Sequence, residues 1–214
     1  GRGDVYKRQL ELSAIPMIAL VTITKNKHSI EAGLKLFILS AVSSAVFLYG
    51  IVFIFGFTGT TYLITISERI DQLGLTSLDY PFGSYAILIG ALLIISGLGF
   101  KIASVPFQMW VPDVYEGAPT PVTAFFAIAP KIAAMALFIR IMTGPFGQLA
   151  GEWQQIIIFI SIASMILGAF AAINQRNIKR LMAYSSIGHM VYALIGLAVA
   201  GQIGDTTTRT EGIY

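Results

Sequence analysis

Apolar residues in this chain come in long unbroken blocks, at residues 10–24, 32–57, 84–111, 119–142, 154–174 and 181–200. A helix needs roughly 20 apolar residues to cross a bilayer, and hydropathy read along the chain marks such segments. Each block is therefore predicted to be a transmembrane helix, the first of them short. Residues 58–83 interrupt the pattern with a polar connection holding Glu68, Arg69, Asp71 and Asp79. Within it, TYLITISERIDQLG is predicted to form a short amphipathic helix at the membrane surface. A transmembrane barrel would alternate apolar and polar residues over roughly 10-residue segments, and these blocks do not. The fold class is all-α, a polytopic transmembrane helical bundle of about six spans.

Composition sharpens this reading. The 214 residues are 56% hydrophobic and 12% charged, with a mean hydropathy of +0.76; soluble domains carry roughly 25% charged residues. The net charge is +3 without a basic patch, which excludes nucleic acid as a partner. There is no cysteine, so neither a disulfide nor a Cys-ligated iron–sulfur cluster belongs to this chain. His28 and His189 fall in different kinds of segment, so no His-based metal site is expected. Residues 1–9, GRGDVYKRQ, are polar and do not read as a signal peptide. They are expected to be a foreign or truncated edge. Residues 10–203 are expected to form a partial transmembrane domain, and 204–214 a polar tail at a truncation.

Orientation follows from the excess of Lys and Arg in cytoplasmic loops. The loop after the first span holds Lys25, Lys27 and His28, and the loop after the fifth, NQRNIKR, holds Arg176, Lys179 and Arg180. Four spans separate the two loops, so both face the cytoplasm consistently. The connection carrying Asp113 and Glu116 lies on the same side and holds no Lys or Arg.

Ionisable residues inside the spans carry the candidate chemistry. Arg140 stands near a span end, where long cationic side chains reach the interface. Lys35 lies four residues past Glu31, which suits an i,i+4 pair at the interface. Lys101 and Lys131 sit too deep for that. A mid-bilayer lysine costs roughly 2.5–3.5 kcal/mol on insertion scales, and two in adjacent spans point to function. Glu11 precedes Lys25 by about 21 Å of helix. It is deep, and a partner for Lys101 or Lys131, if the span continues before Leu10; it is interfacial if the span starts there. Pro106 and Pro130 each remove a backbone donor and are predicted to kink or break the helix next to Lys101 and Lys131. Broken membrane helices are tolerated where backbone lines a hydrated cavity, and transporters build ion sites there. Lys101 is thus read as a proton relay, with water reaching it at the break. A lysine that alternately gains and loses a carboxylate partner can take up and release a proton. His189, mid-span among Ser185, Ser186 and Gly188, is either a further relay group or a packing residue.

These residues carry a resemblance. GLGFKIASVPFQMWVPDVYEGAPTPVTAFFAIAPKIAAM and INQRNIKRLMAYSSIGHMVYALIG are similar to the proton-translocating antiporter-like membrane subunits of respiratory complex I. LELSAIPMIAL and EAGLKLFILSAVSSAVFLYG fit the same family, and the resemblance covers residues 10 to about 203. It implies a fourteen-span inverted-repeat fold, of which this chain supplies the fifth to tenth spans. The family's acidic residue of span five matches Glu11, the lysine of the broken span seven matches Lys101, and the span-eight lysine matches Lys131. The resemblance also implies a translocase subunit with no redox centre or cofactor on this chain. Its expected partners are other membrane-arm subunits, the lipid bilayer and a quinone bound elsewhere in the complex, in a bacterial inner membrane. Multisubunit cation/proton antiporters are relatives and supply the alternative function. Those antiporter subunits and two other antiporter-like subunits of complex I typically carry a histidine where this chain reads PVTAFFAIAPK, which favours the remaining complex I subunit of the family. A third reading is a helical scaffold whose buried lysines only pair and pack.

Overall fold

In the computed structural model, residues 14–72 and 81–203 are described, and all their regular structure is helical. Eight α-helices follow one another: α1 (Ala14–Thr22), α2 (Lys27–Thr58), α3 (Leu63–Gln72), α4 (Pro81–Ile102), α5 (Trp110–Gly117), α6 (Thr120–Thr143), α7 (Ala150–Ile173) and α8 (Ile178–Ile203). Five of them, α2, α4, α6, α7 and α8, are long and apolar enough to cross a membrane. The first predicted block is described only from Ala14 onward. Their outward faces carry bare apolar side chains such as Phe37, Tyr49, Phe159 and Phe170, as lipid-facing helices require.

Helix ends follow local chemistry. Gly59 closes α2 in the left-handed region (φ 67°), its N–H donating to the Phe55 carbonyl, a turn that glycine adopts without a Cβ clash. Pro119 precedes α6 and Pro121 lies in its first turn, where a missing N–H costs nothing. The predicted surface helix is α3, with Ile66 and Ile70 buried and Glu68 and Arg69 exposed.

The third apolar block, predicted as one span, is divided. Helix α4 stops at Ile102 and α5 resumes at Trp110. The stop is a Schellman turn. Ala103 takes φ 62°, its N–H donates to the Phe100 carbonyl (3.1 Å), and the Ser104 N–H reaches back to Gly99 (3.0 Å). An L-residue in this conformation costs about 1–2 kcal/mol. Packing from two other helices holds it there: Trp110 Nε1 donates to the Phe100 carbonyl (3.1 Å), and the Val105 N–H donates to Ser164 Oγ on α7 (2.9 Å). Ser164→Ala would leave that N–H without its acceptor, a loss of about 1–3 kcal/mol. The expected outcome is a lowered melting temperature of the detergent-solubilised protein, read from helical circular dichroism.

At Pro130, where a kink or a break is expected, the helix is not broken. Helix α6 runs through Pro130 from Thr120 to Thr143. A proline deletes one backbone hydrogen bond, and membrane helices absorb that loss where neighbouring helices hold them. Here Phe126, Lys131, Ala134 and Met135, on both flanks of Pro130, are buried against those neighbours.

Helices α2 and α4 approach most closely at glycines. A Cβ on Gly97 would stand 2.6 Å from Phe47 Cβ, and one on Gly50 would stand 2.8 Å from the Gly90 carbonyl oxygen. Small residues at such crossings let backbones meet, which substitutes for the hydrophobic drive that lipid removes. Ser43 on α2 uses this proximity to donate to the Gly97 carbonyl (3.1 Å).

Candidate functional site: a buried lysine beside a broken helix

Two apolar clusters fill the bundle. One packs Phe47, Ile87, Leu98, Phe138, Trp153 and Leu194; the other packs Val21, Leu36, Trp110, Tyr115, Phe126 and Ile187. Lys131 lies on α6 and is fully buried (0% exposed). Its Nζ donates to Ser186 Oγ on α8 (2.6 Å) and stands 5.5 Å from the centroid of the Tyr115 ring on α5. The Ser186 hydroxyl donates its own proton to the Ala183 carbonyl (2.9 Å), which leaves its oxygen to accept from lysine. A ring face at this distance attracts an ammonium. Three helices thus hold the amine with a hydroxyl and a ring. Among the described residues no carboxylate forms an ion pair with Lys131.

Lys101 is partly buried in the last turn of α4, directly before the Schellman turn. The helix dipole places partial negative charge at such a C-terminus. Stopping the helix inside the apolar layer therefore creates a local anchor for a cation. Glu11, the expected acidic partner, lies outside the described residues. His189 is exposed on α8, with Nδ1 2.7 Å from the Ser185 carbonyl one turn back and its ring edge-on to Tyr192. Arg140 is exposed near the end of α6, as its position predicted.

Sequence reasoning passed over Tyr115 and treated Ser186 as packing. It paired Lys35 with Glu31, and that bond is present (2.9 Å), but Lys35 also meets Asp113 (2.8 Å) on α5. Asp113 pairs in turn with Arg180 (3.1 Å), which also binds Glu116 (2.7 Å). The structure therefore gathers Lys35, Asp113, Glu116 and Arg180 at one end of the bundle. That end holds the basic loops assigned to the cytoplasm. Among the described residues no group of His, Asp and Glu forms a metal-ligating cluster.

Five membrane-length helices around a broken span and a buried amine define a polytopic helical membrane protein. The chain belongs to the transmembrane family described as NADH:quinone oxidoreductase/Mrp antiporter, which matches residues 9–212. A Rhodospirillum rubrum protein named NADH-quinone oxidoreductase subunit N is 56% identical over 205 residues, covering 95% of this chain and 40% of its own length. The solved structure of respiratory complex I from Thermus thermophilus with bound aureothin holds a similar chain. It superposes with a TM-score of 0.72 at 34% identity, over 93% of this chain and 40% of that one. A chain of the Mrp complex from Dietzia sp. DQ12-45-1b gives a TM-score of 0.80 at 21% identity, covering 93% of this chain and 36% of that one, a likeness of fold. The chain spans about 40% of the length of the curated relatives it matches.

Proposed function

We propose that this chain forms the proton-carrying part of a membrane-arm subunit in an NADH-quinone oxidoreductase of a bacterial inner membrane. It moves protons across the bilayer while other subunits carry electrons from NADH to a quinone; no redox centre or cofactor belongs to it. The observation that carries this reading is the Lys131 cradle. An amine with no share in apolar packing is held at full burial by one hydroxyl and one ring, one helix away from the break that carries Lys101. A mid-membrane lysine is costly and is kept where it binds or moves charge. Lys101 exchanges its proton with water and with a carboxylate, for which Glu11 is the candidate, and passes it to Lys131. The 56% identity to a protein named as an oxidoreductase subunit supports this setting.

The alternative setting is a cation/proton antiporter, which shares the fold. Affinity isolation of the tagged chain from its native membrane separates them. The expected result is co-isolation with NADH-oxidising subunits, in a native-gel band that reduces a tetrazolium dye with NADH. Isolation without NADH-oxidising activity, together with sodium-dependent proton exchange in reconstituted vesicles, would refute the oxidoreductase setting.

A further inference from the structure

Helix α5 is eight residues long, yet it touches almost every part of the site. Its inner face buries Trp110, Val111, Val114 and Tyr115. Its outer face presents Asp113 and Glu116, three residues apart and so on one side of the helix. Both ends are fixed. Trp110 stacks on Phe100 at the end of α4, ring centroids 5.4 Å apart. At the other end a Cβ on Gly117 would come within 2.6 Å of Ala32 and 2.8 Å of the His28 carbonyl oxygen on α2. The Tyr115 carbonyl accepts from Thr123 Oγ1 on α6 (3.1 Å).

The charged contacts link this helix to α8. One guanidinium nitrogen of Arg180 lies between Asp113 (3.1 Å) and Glu116 (2.7 Å). Asn177 donates to Glu116 (3.0 Å), and Lys179 Nζ donates to the Ala118 carbonyl (2.8 Å). Lys35 ties Asp113 to α2 as well (2.8 Å). Arg180 stands on the same helix as Ser186, six residues or about 9 Å along the axis. The two groups that hold Lys131, the Tyr115 ring and the Ser186 hydroxyl, therefore belong to the two helices that Arg180 joins.

We propose that the Asp113–Arg180–Glu116 clamp is a positioning device for Lys131, fixing α5 against α8 so that Tyr115 and Ser186 meet the amine together. The inference rests on Lys131 being a proton carrier. The clamp touches no transferred proton itself; it acts through Tyr115. Loosening it lets α5 roll about the axis between its tethered ends and withdraws the ring from the amine.

A double-mutant cycle tests this, because residues acting through one contact are not additive. Arg180→Ala, Tyr115→Leu and the pair are made in the complete complex, together with Arg180→Lys and Lys131→Met. The initial rate of NADH-driven proton uptake by inverted vesicles is then measured per assembled complex, quantified on a native gel. Arg180→Ala and Tyr115→Leu are each expected to lower the rate about fivefold, with the double variant no slower than Tyr115→Leu alone. Arg180→Lys, which keeps the charge, restores part of the rate and covers the case in which Arg180→Ala fails to assemble. Multiplying losses in the double variant, or a normal rate in Arg180→Ala, would overturn the clamp while leaving the proton-carrier reading standing. A normal rate in Lys131→Met would overturn both.

Discussion

Lys131→Met is expected to lower NADH-driven proton uptake at least about tenfold, equivalent to roughly 1.4 kcal/mol in the limiting barrier, without loss of assembly. Methionine matches the length of the lysine stem and fills irregular apolar space. It also removes a group that costs roughly 2.5–3.5 kcal/mol to insert at mid-bilayer. The variant should therefore enter the membrane at least as well as its parent. Ser186 keeps its own bond to the Ala183 carbonyl, so no stranded donor is left behind. A residue kept only for packing would tolerate this exchange. A proton carrier would not, because a thioether has no proton to give.

Lys101→Ala should produce a loss of similar size, about tenfold, for a different structural reason. Lys101 occupies the last turn of α4, and the turn is anchored by the backbone bonds of Ala103 and Ser104 and by Trp110 and Ser164. The helix-dipole share of the stability lost with the cation is about 0.3–1 kcal/mol, small beside the anchors of the turn. Native-gel yield and circular dichroism should stay near those of the parent while proton uptake falls. A matching fall in yield would instead mark Lys101 as a structural group.

Much of the architecture was legible because a bilayer imposes length on apolar segments. The blocks at 32–57, 119–142, 154–174 and 181–200 correspond to α2, α6, α7 and α8, with ends shifted by a few residues. The break after Lys101 was readable from Pro106, although the stop is made by Ala103 and its Schellman turn. Pro130 left kink and break equally open, because a lone proline does not reveal whether neighbouring helices hold the backbone it weakens. Lys131 stood out as a charge at depth. Its partners did not, since Ser186 lies 55 residues away in sequence and Tyr115 falls in a stretch that read as the end of a span and its loop. The clamp was equally hidden, with Arg180 separated from Asp113 by 67 residues and from Glu116 by 64. One signal was available: in PDVYEG, Asp113 and Glu116 stand three apart, which would place both on one face of a helix opposite the basic NQRNIKR segment.

The proton-carrier account rests most directly on one rate, the initial NADH-driven proton uptake of inverted vesicles bearing Lys131→Met, normalised to assembled complex. The account predicts a fall of about tenfold or more relative to the parent. An unchanged rate in a fully assembled complex would contradict it, and Lys131 would then be a buried amine that packs without carrying a proton.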